Sequence, residues 1–239
     1  MPVAPYVPPF KPTFRPVAPD RLLKLLGEKL LLPKEELARL AAELGAGVWE
    51  LAWTVATVTD LAVMETLRAS LLETIKTGGT LRDWRKMLDD SGWRSPLGKW
   101  HEETIFRTTL GHVMEGERYE VLTNDPNVEY LVFDAIDDDR VDEECLSLDG
   151  QAWPRDEFPD ELWPPIHFNC RCSVIPADAN ELGELGATEH EGPAPLDHIA
   201  EGFDSPPSVR GLSEDLAGVI EDRLREDGWA VHAPVAPGR

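Results

Sequence analysis

Cations are scarce in this chain. Lys and Arg number 23 against 45 Asp and Glu, a formal net charge of −22. A surface of that sign does not wrap bare nucleic acid, because phosphate binding needs clustered cations. A local basic patch remains compatible with it. Cysteine is scarcer still: Cys145, Cys170 and Cys172 are the whole complement. An odd count in a chain this long excludes a disulfide framework. Cys170 and Cys172, one residue apart, are poorly placed to bridge each other. No apolar run approaches the ~18 residues of a membrane span. The opening MPVAPYVPPFKPTFRP has no apolar core of the signal-peptide kind. The expectation is a protein without membrane contact, made and used in a cytosol. Familiar catalytic signatures are missing too, with no H-E-x-x-H, no G-x-S-x-G and no G-x-x-x-x-G-K-[ST].

Hydrophobic residues still make up 42% of 239 residues, enough to bury a core without covalent staples. Four stretches differ in character. Residues 1–19 hold seven of the 21 prolines and read as an extended arm, since proline fixes φ and removes the amide donor. Residues 1–30 carry five basic and two acidic side chains, so the arm is locally positive.

Residues 20–123 read as helical. Asp20 can cap a first helix carrying Leu22, Leu25, Leu26 and Leu30. Pro33 opens a second, with Leu37, Leu40, Leu44, Val48 and Leu51 at spacings of three and four. Thr59 or Asp60 caps a third with Leu61, Met64, Leu67, Leu71 and Ile75, ended by Gly78-Gly79. Thr80 to Asp83 resembles a capping box before a short helix through Trp84. Ser95-Pro96 starts a long helix to about Leu122.

Residues 124–176 change period. VEYLVFDAI (128–136) is β-rich, Asp149-Gly150 is a turn dipeptide before a short strand Gln151-Ala152-Trp153, and Cys172 to Ile175 suits a further strand. Residues 177–239 hold 14 acids, four arginines and no lysine, and read as an acidic linker followed by a helix from Ser213 to about Glu226. The expected class is α+β: a helical N-terminal half packed on a small loop-rich β element, with a Pro-rich arm and an acidic tail.

The sharpest local pattern is C-x21-H-x2-C-x-C, formed by Cys145, His167, Cys170 and Cys172. Three thiols and an imidazole are the ligand set of a closed structural zinc site. The pattern leaves a second reading open, in which Cys145 is a small buried hydrophobe and His167 a hydrogen-bonded turn residue. Ahead of it stand Asp134, Asp137, Asp138, Asp139, Asp142, Glu143 and Glu144, seven acids in eleven residues. Paired carboxylates can hold two metals for phosphodiester hydrolysis. A nuclease or hydrolase using Asp137, Asp138, Asp139 and His167 is therefore the alternative to a non-catalytic role. A solvated acidic loop is the plainer account of the acids. A third reading places DNA on the positive arm.

Several stretches resemble the phage head-morphogenesis (minor head protein) family, typified by the F protein of phage Mu and the minor capsid protein of phage SPP1. Gly79-Thr80-Leu81-Arg82-Asp83-Trp84 through Gly92-Trp93 is similar to its G-T-hydrophobic…G-W stretch. Glu103-Thr104-Ile105-Phe106-Arg107-Thr108-Thr109 is similar to its E-T-x-x-R-T-N helix, with Thr109 in place of the asparagine. Asp138-Asp139-Arg140, Cys145, Leu148-Asp149-Gly150, Pro164-Pro165 and His167-Phe168-Asn169-Cys170-Arg171-Cys172 follow its order D-x-R…C/H…L-D-G…P-P…H-x-N-C-R-C.

The resemblance covers residues 20–176. It implies a non-enzymatic virion component at the portal vertex or in the head interior, assembled in the host cytoplasm. Its work would be capsid assembly and genome packaging or delivery. Its partners would be the portal protein, the major capsid protein and packaged DNA. It further implies structural or interaction roles for Arg107, Thr108, Asp139, Arg140, Asp149, Gly150, Asn169 and Arg171, and a structural zinc ion on Cys145, His167, Cys170 and Cys172.

Overall fold

The computed structural model describes residues 23–24, 26–27, 29–44, 52–53, 58–90, 97–200, 203 and 214–227. The arm at 1–19, the cap at Asp20, the positions of Leu22, Leu25, Val48 and Leu51, and the start at Ser95-Pro96 lie outside them.

In the helical half, Leu23, Lys24, Leu26 and Gly27 are helical, as expected of the first helix, and a pair of two-residue strands follows. β1 (Leu30–Leu31) runs parallel to β2 (Ala52–Trp53), with Leu30 opposite Ala52. Leu30 is thus in a strand, not in the first helix expected for it. Two-residue strands carry no periodic signal that a sequence can show. Between them lies α1 (Lys34–Leu44), opened by Pro33, whose carbonyl accepts from Leu37 N–H. It buries Leu37 and Leu40.

Helix α2 (Leu61–Lys76) starts where expected: the Asp60 carboxylate accepts from the amides of Ala62 and Val63 at 2.9 and 3.3 Å. That satisfies donors left orphaned in the first turn. Met64, Leu67, Leu71 and Ile75 make its buried stripe. Gly78 closes it at φ 71°, and a Cβ on Gly79 would meet Thr74 Cγ2 at 2.7 Å, so a side chain there is excluded. The Thr80–Asp83 box is reciprocal, with Thr80 N–H donating to Asp83 at 2.8 Å and Asp83 N–H donating to the Thr80 hydroxyl at 3.3 Å. It opens α3 (Leu81–Asp90), whose buried Trp84 donates its indole N–H to Ser70.

Helix α4 (Lys99–Asn124) is shared by two cores. Phe106 and Val113 belong to the first, with Met64, Leu67, Leu71, Trp84 and Leu88. Tyr119 and Leu122 pack against the second, which holds Leu131, Phe133, Leu148, Trp163 and Val174. Burying each such side chain contributes about 1.5–3 kcal/mol.

The second core lies on a four-stranded sheet of order β5-β3-β4-β6. β3 (Tyr130–Asp134) pairs antiparallel with β4 (Gln151–Pro154) and with β5 (Ser173–Ala177). Two elements depart from expectation. The acidic stretch forms α5 (Glu143–Leu148), which turns Cys145 and Leu148 inward. The chain after Pro176 is not linker throughout. α6 (Glu181–Leu185) leads into β6 (Thr188–Glu189), which adds to β4 in parallel. Backbone pairing holds β6 there, since both of its residues are exposed and give no hydrophobic signal.

The last element, α7 (Glu214–Glu226), overlaps the expected C-terminal helix. It buries Ile220 and Leu224 and meets α1 through Arg39–Asp227 and Arg223–Glu43 ion pairs.

Candidate metal centre

The Asp134 end of the sheet supports a knot of short segments. Asp149 caps the backbone there: its carboxylate accepts from Ala135 N–H at 2.8 Å, and Gly150 N–H donates to Phe133 O at 2.9 Å. Gly150 has φ 71°, the left-handed conformation that glycine adopts without strain. The chain then returns through the aromatic run Trp153, Phe158 and Trp163, whose rings meet edge-on at 5.2 and 5.4 Å.

The knuckle at 167–172 docks on α4. Asn169 has φ 62° and uses both of its nitrogens. Its amide N–H donates to the Thr108 hydroxyl at 3.2 Å, and its side-chain nitrogen donates to the Thr104 hydroxyl at 3.0 Å. This explains two threonines of the α4 motif. Arg171 grips Asp138 with two parallel bonds of 2.6 Å each, the fork geometry that favours arginine over lysine. That pairing holds the Asp138 carboxyl well below its usual range. Asp138 also accepts from Arg140 N–H at 2.9 Å.

Between these supports the donor atoms converge. His167 Nε2 lies 3.0 Å from Cys145 Sγ, and Cys145 Sγ lies 4.0 Å from Cys170 Sγ. Cys145, His167 and Cys170 all offer ligand atoms within 4.8 Å of one another. Cys172 is not a member of that group, although it lies near enough to shift the thiols of Cys145 and Cys170. His167 Nδ1 lies 2.8 Å from the Phe168 carbonyl, to which it donates, and this leaves Nε2 as the lone-pair nitrogen of the neutral ring. Backbone N–H groups of Ile166 and Ile136 point at Cys170 and Cys172.

Three buried thiols this close perturb one another. Hydrogen bonds from Cys145 and Cys172 pull Cys170 far below the usual thiol range, while Cys145 is driven far above it by its bonds to Cys170 and Cys172. Cys172 feels a lowering bond from Cys145, but its bond to Cys170 and its burial prevail and push it up to about 12. The bond to Cys170 raises His167 to about 9. A divalent cation would displace the remaining thiol protons, because metal and proton compete for the same lone pairs. The group can hold a metal ion.

The remaining expected residues fall around this centre. Arg107 pairs with Glu103 at 2.8 Å, and Arg140 reaches the same carboxylate at 3.8 Å. Asp139 is exposed. Asp137, Asp138 and Asp139 do not assemble with His167: among the described residues, the metal-compatible group is the Cys/His one. A cleft of about 430 Å³ lined by Tyr130, Pro154, Arg155 and Glu157 lies at the opposite end of β3 and β4. Two residues escaped the sequence reading. Asp142 places Oδ2 3.2 Å from His167 Nε2. Glu115 is a buried carboxylate beside Arg118, and its backbone carbonyl accepts from the Trp163 indole at 3.0 Å. Only the four-residue spacing from Glu115 to Tyr119 on one helix face hinted at its position.

No curated protein and no solved structure matches this chain. Residues 65–175 match the family model described as Phage Mu protein F like protein. That span runs from α2 through the knuckle and into β5, so it takes in the shared helix and every candidate ligand. Through this segment the chain is similar to the phage Mu protein F-like family, a family of structural head proteins.

Proposed function

We propose that the chain is a minor head protein acting at the portal vertex or head interior, in capsid assembly and in genome packaging or delivery. The family match over 65–175 carries this reading. Two structural features support it. The converging donors are braced from three sides, which suits a cross-link better than a reaction centre. The surface beside them also offers anchors for a protein partner. Trp100 and Phe168 are 68% and 62% exposed. Trp100 lies one helical turn before Thr104, the residue that holds Asn169 next to Phe168. Exposed aromatic side chains of this kind are enriched at the centres of interfaces. The portal protein is the partner this reading names first, with the major capsid protein and packaged DNA as further contacts. Among the described residues no helix is long and apolar enough to cross a membrane.

Zinc is the ion that suits the donors. Tetrahedral zinc with bonds of about 2.3 Å to sulfur and 2.0 Å to nitrogen spaces its ligand atoms by roughly 3.5–3.8 Å. The 3.0 and 4.0 Å separations at Cys145 bracket that spacing. Cys145, His167, Cys170 and Cys172 would hold the ion, and its chemistry there would be that of a structural cross-link.

Capture on immobilised portal rings tests the main reading. The wild-type chain is retained, and a Trp100→Ala, Phe168→Ala double variant with unchanged melting loses retention. Equal retention of both chains rejects this surface. Particles lacking density for the chain beside the portal reject the location.

A further inference from the structure

We propose that Asp142 is the entry ligand of the Cys/His centre: an exposed carboxylate that takes an incoming divalent ion from solvent and passes it to His167 and the thiols. The proposal rests on the metal reading above. Accessibility falls along one line into the protein. The Asp142 side chain is 58% exposed and that of His167 19%, whereas Cys145, Cys170 and Cys172 are 1%, 5% and 6% exposed as residues. Asp142 Oδ2 lies 3.2 Å from His167 Nε2, the same nitrogen that faces Cys145 Sγ at 3.0 Å. An ion held at Asp142 is thus one ligand exchange from the first internal donor.

The opposite approach is blocked. Asn169 is tied to Thr104 and Thr108, Gly111 lies against the carbonyl of Cys170, and Arg171 is locked on Asp138. The Nδ1 edge of His167 is committed to Phe168. Asp142 also begins the helix that carries Cys145, so a single turn of chain presents the mouth of the site and its deepest thiol. A carboxylate at the mouth replaces the first waters before the buried thiols release their protons to bulk solvent.

The role is kinetic, so it speeds loading and release alike and leaves the affinity unchanged. The test uses the full-length, zinc-loaded chain. Zinc release into excess chelator is followed with a colorimetric indicator, and affinity is obtained by competition titration. Asp142→Asn is a mild change, because the Asp142 side chain makes no capping hydrogen bond and Asn caps as well as Asp. The variant is expected to release zinc on the order of tenfold more slowly, with loading slowed by the same factor. Its affinity should stay within about twofold of wild type. Glu144→Gln removes the same charge from an exposed neighbour and is expected to behave as wild type. Equal slowing by both variants, or no slowing by Asp142→Asn, overturns the proposal. A lower affinity of Asp142→Asn with faster release overturns it as well, since Asp142 would then be a permanent ligand. A wild-type chain that binds no divalent ion removes the centre itself, an outcome distinct from the others.

Discussion

Two titratable side chains on α4, the buried Glu115 and the half-buried His112, have opposite effects on how stability varies with pH. Burial lifts Glu115 from 4.5 to about 7, against the opposing charge of Arg118. Burial lowers His112 from 6.5 to about 4, helped by Lys29. A raised carboxyl lends stability that is full below its unfolded value and lost as pH rises through 7. A depressed imidazole lends stability that is full above 6.5 and lost as pH falls through 4. Between pH 6.5 and 4.5 each effect amounts to about 2 kcal/mol, in opposite directions. Glu115→Gln removes one of them. Urea unfolding should show the variant losing about 2 kcal/mol relative to wild type on acidification across that window. A difference that does not change with pH contradicts the assignment. Asn169 makes a second case at this scale. Asn169→Ala forces an alanine to φ 62° and cuts the bond to Thr104, for a loss of about 2 kcal/mol. Asn169→Gly keeps the conformation and should lose about half as much in the same unfolding assay.

Among the elements, long and periodic ones were legible and short ones were not. The stripe Met64, Leu67, Leu71, Ile75 and the Thr80–Asp83 box announce α2 and α3, because three- and four-residue spacing repeats over several turns. β6 escaped notice because Thr188 and Glu189 are both exposed and owe their place to pairing with Gln151 and Ala152. α5 escaped because its six residues include two acids and lie in a run of acids, where a loop is the ordinary reading. The same limit applies at the site. The spacing of Cys145, His167, Cys170 and Cys172 marks candidate ligands, but nothing in it shows that Asp142 would face His167. The contact of α4 with the β element depends on Trp163, which is fully buried. Trp163→Phe leaves the Glu115 carbonyl without its indole donor and should cost about 1–2 kcal/mol by chemical denaturation. Trp163→Ala also empties a large site and should cost about 3–5 kcal/mol.

In the whole molecule, α4 is the common member of two cores, and Cys145, Cys170 and Cys172 belong to the second of them. Removing the ion from the full-length chain with a chelator should lower the melting temperature by roughly 10 °C. Cys170→Ser should reproduce that loss and be insensitive to chelator. Scanning calorimetry with and without chelator checks both, and unchanged melting in either case contradicts a structural ion. An ion pair between Arg39 and Asp227 places the end of α7 against α1 although 188 positions separate the paired residues. This closure was not legible in the sequence, because a contact over that separation leaves no local pattern.

The rings of Trp153, Phe158 and Trp163, inside the loop that runs from Cys145 to Cys172, continue edge-to-face onto Tyr119 of α4. Any loosening of that loop changes the surroundings of two indoles at once. The protein therefore carries a built-in optical gauge: its own ultraviolet emission should shift in colour as the site fills and empties, with no added label.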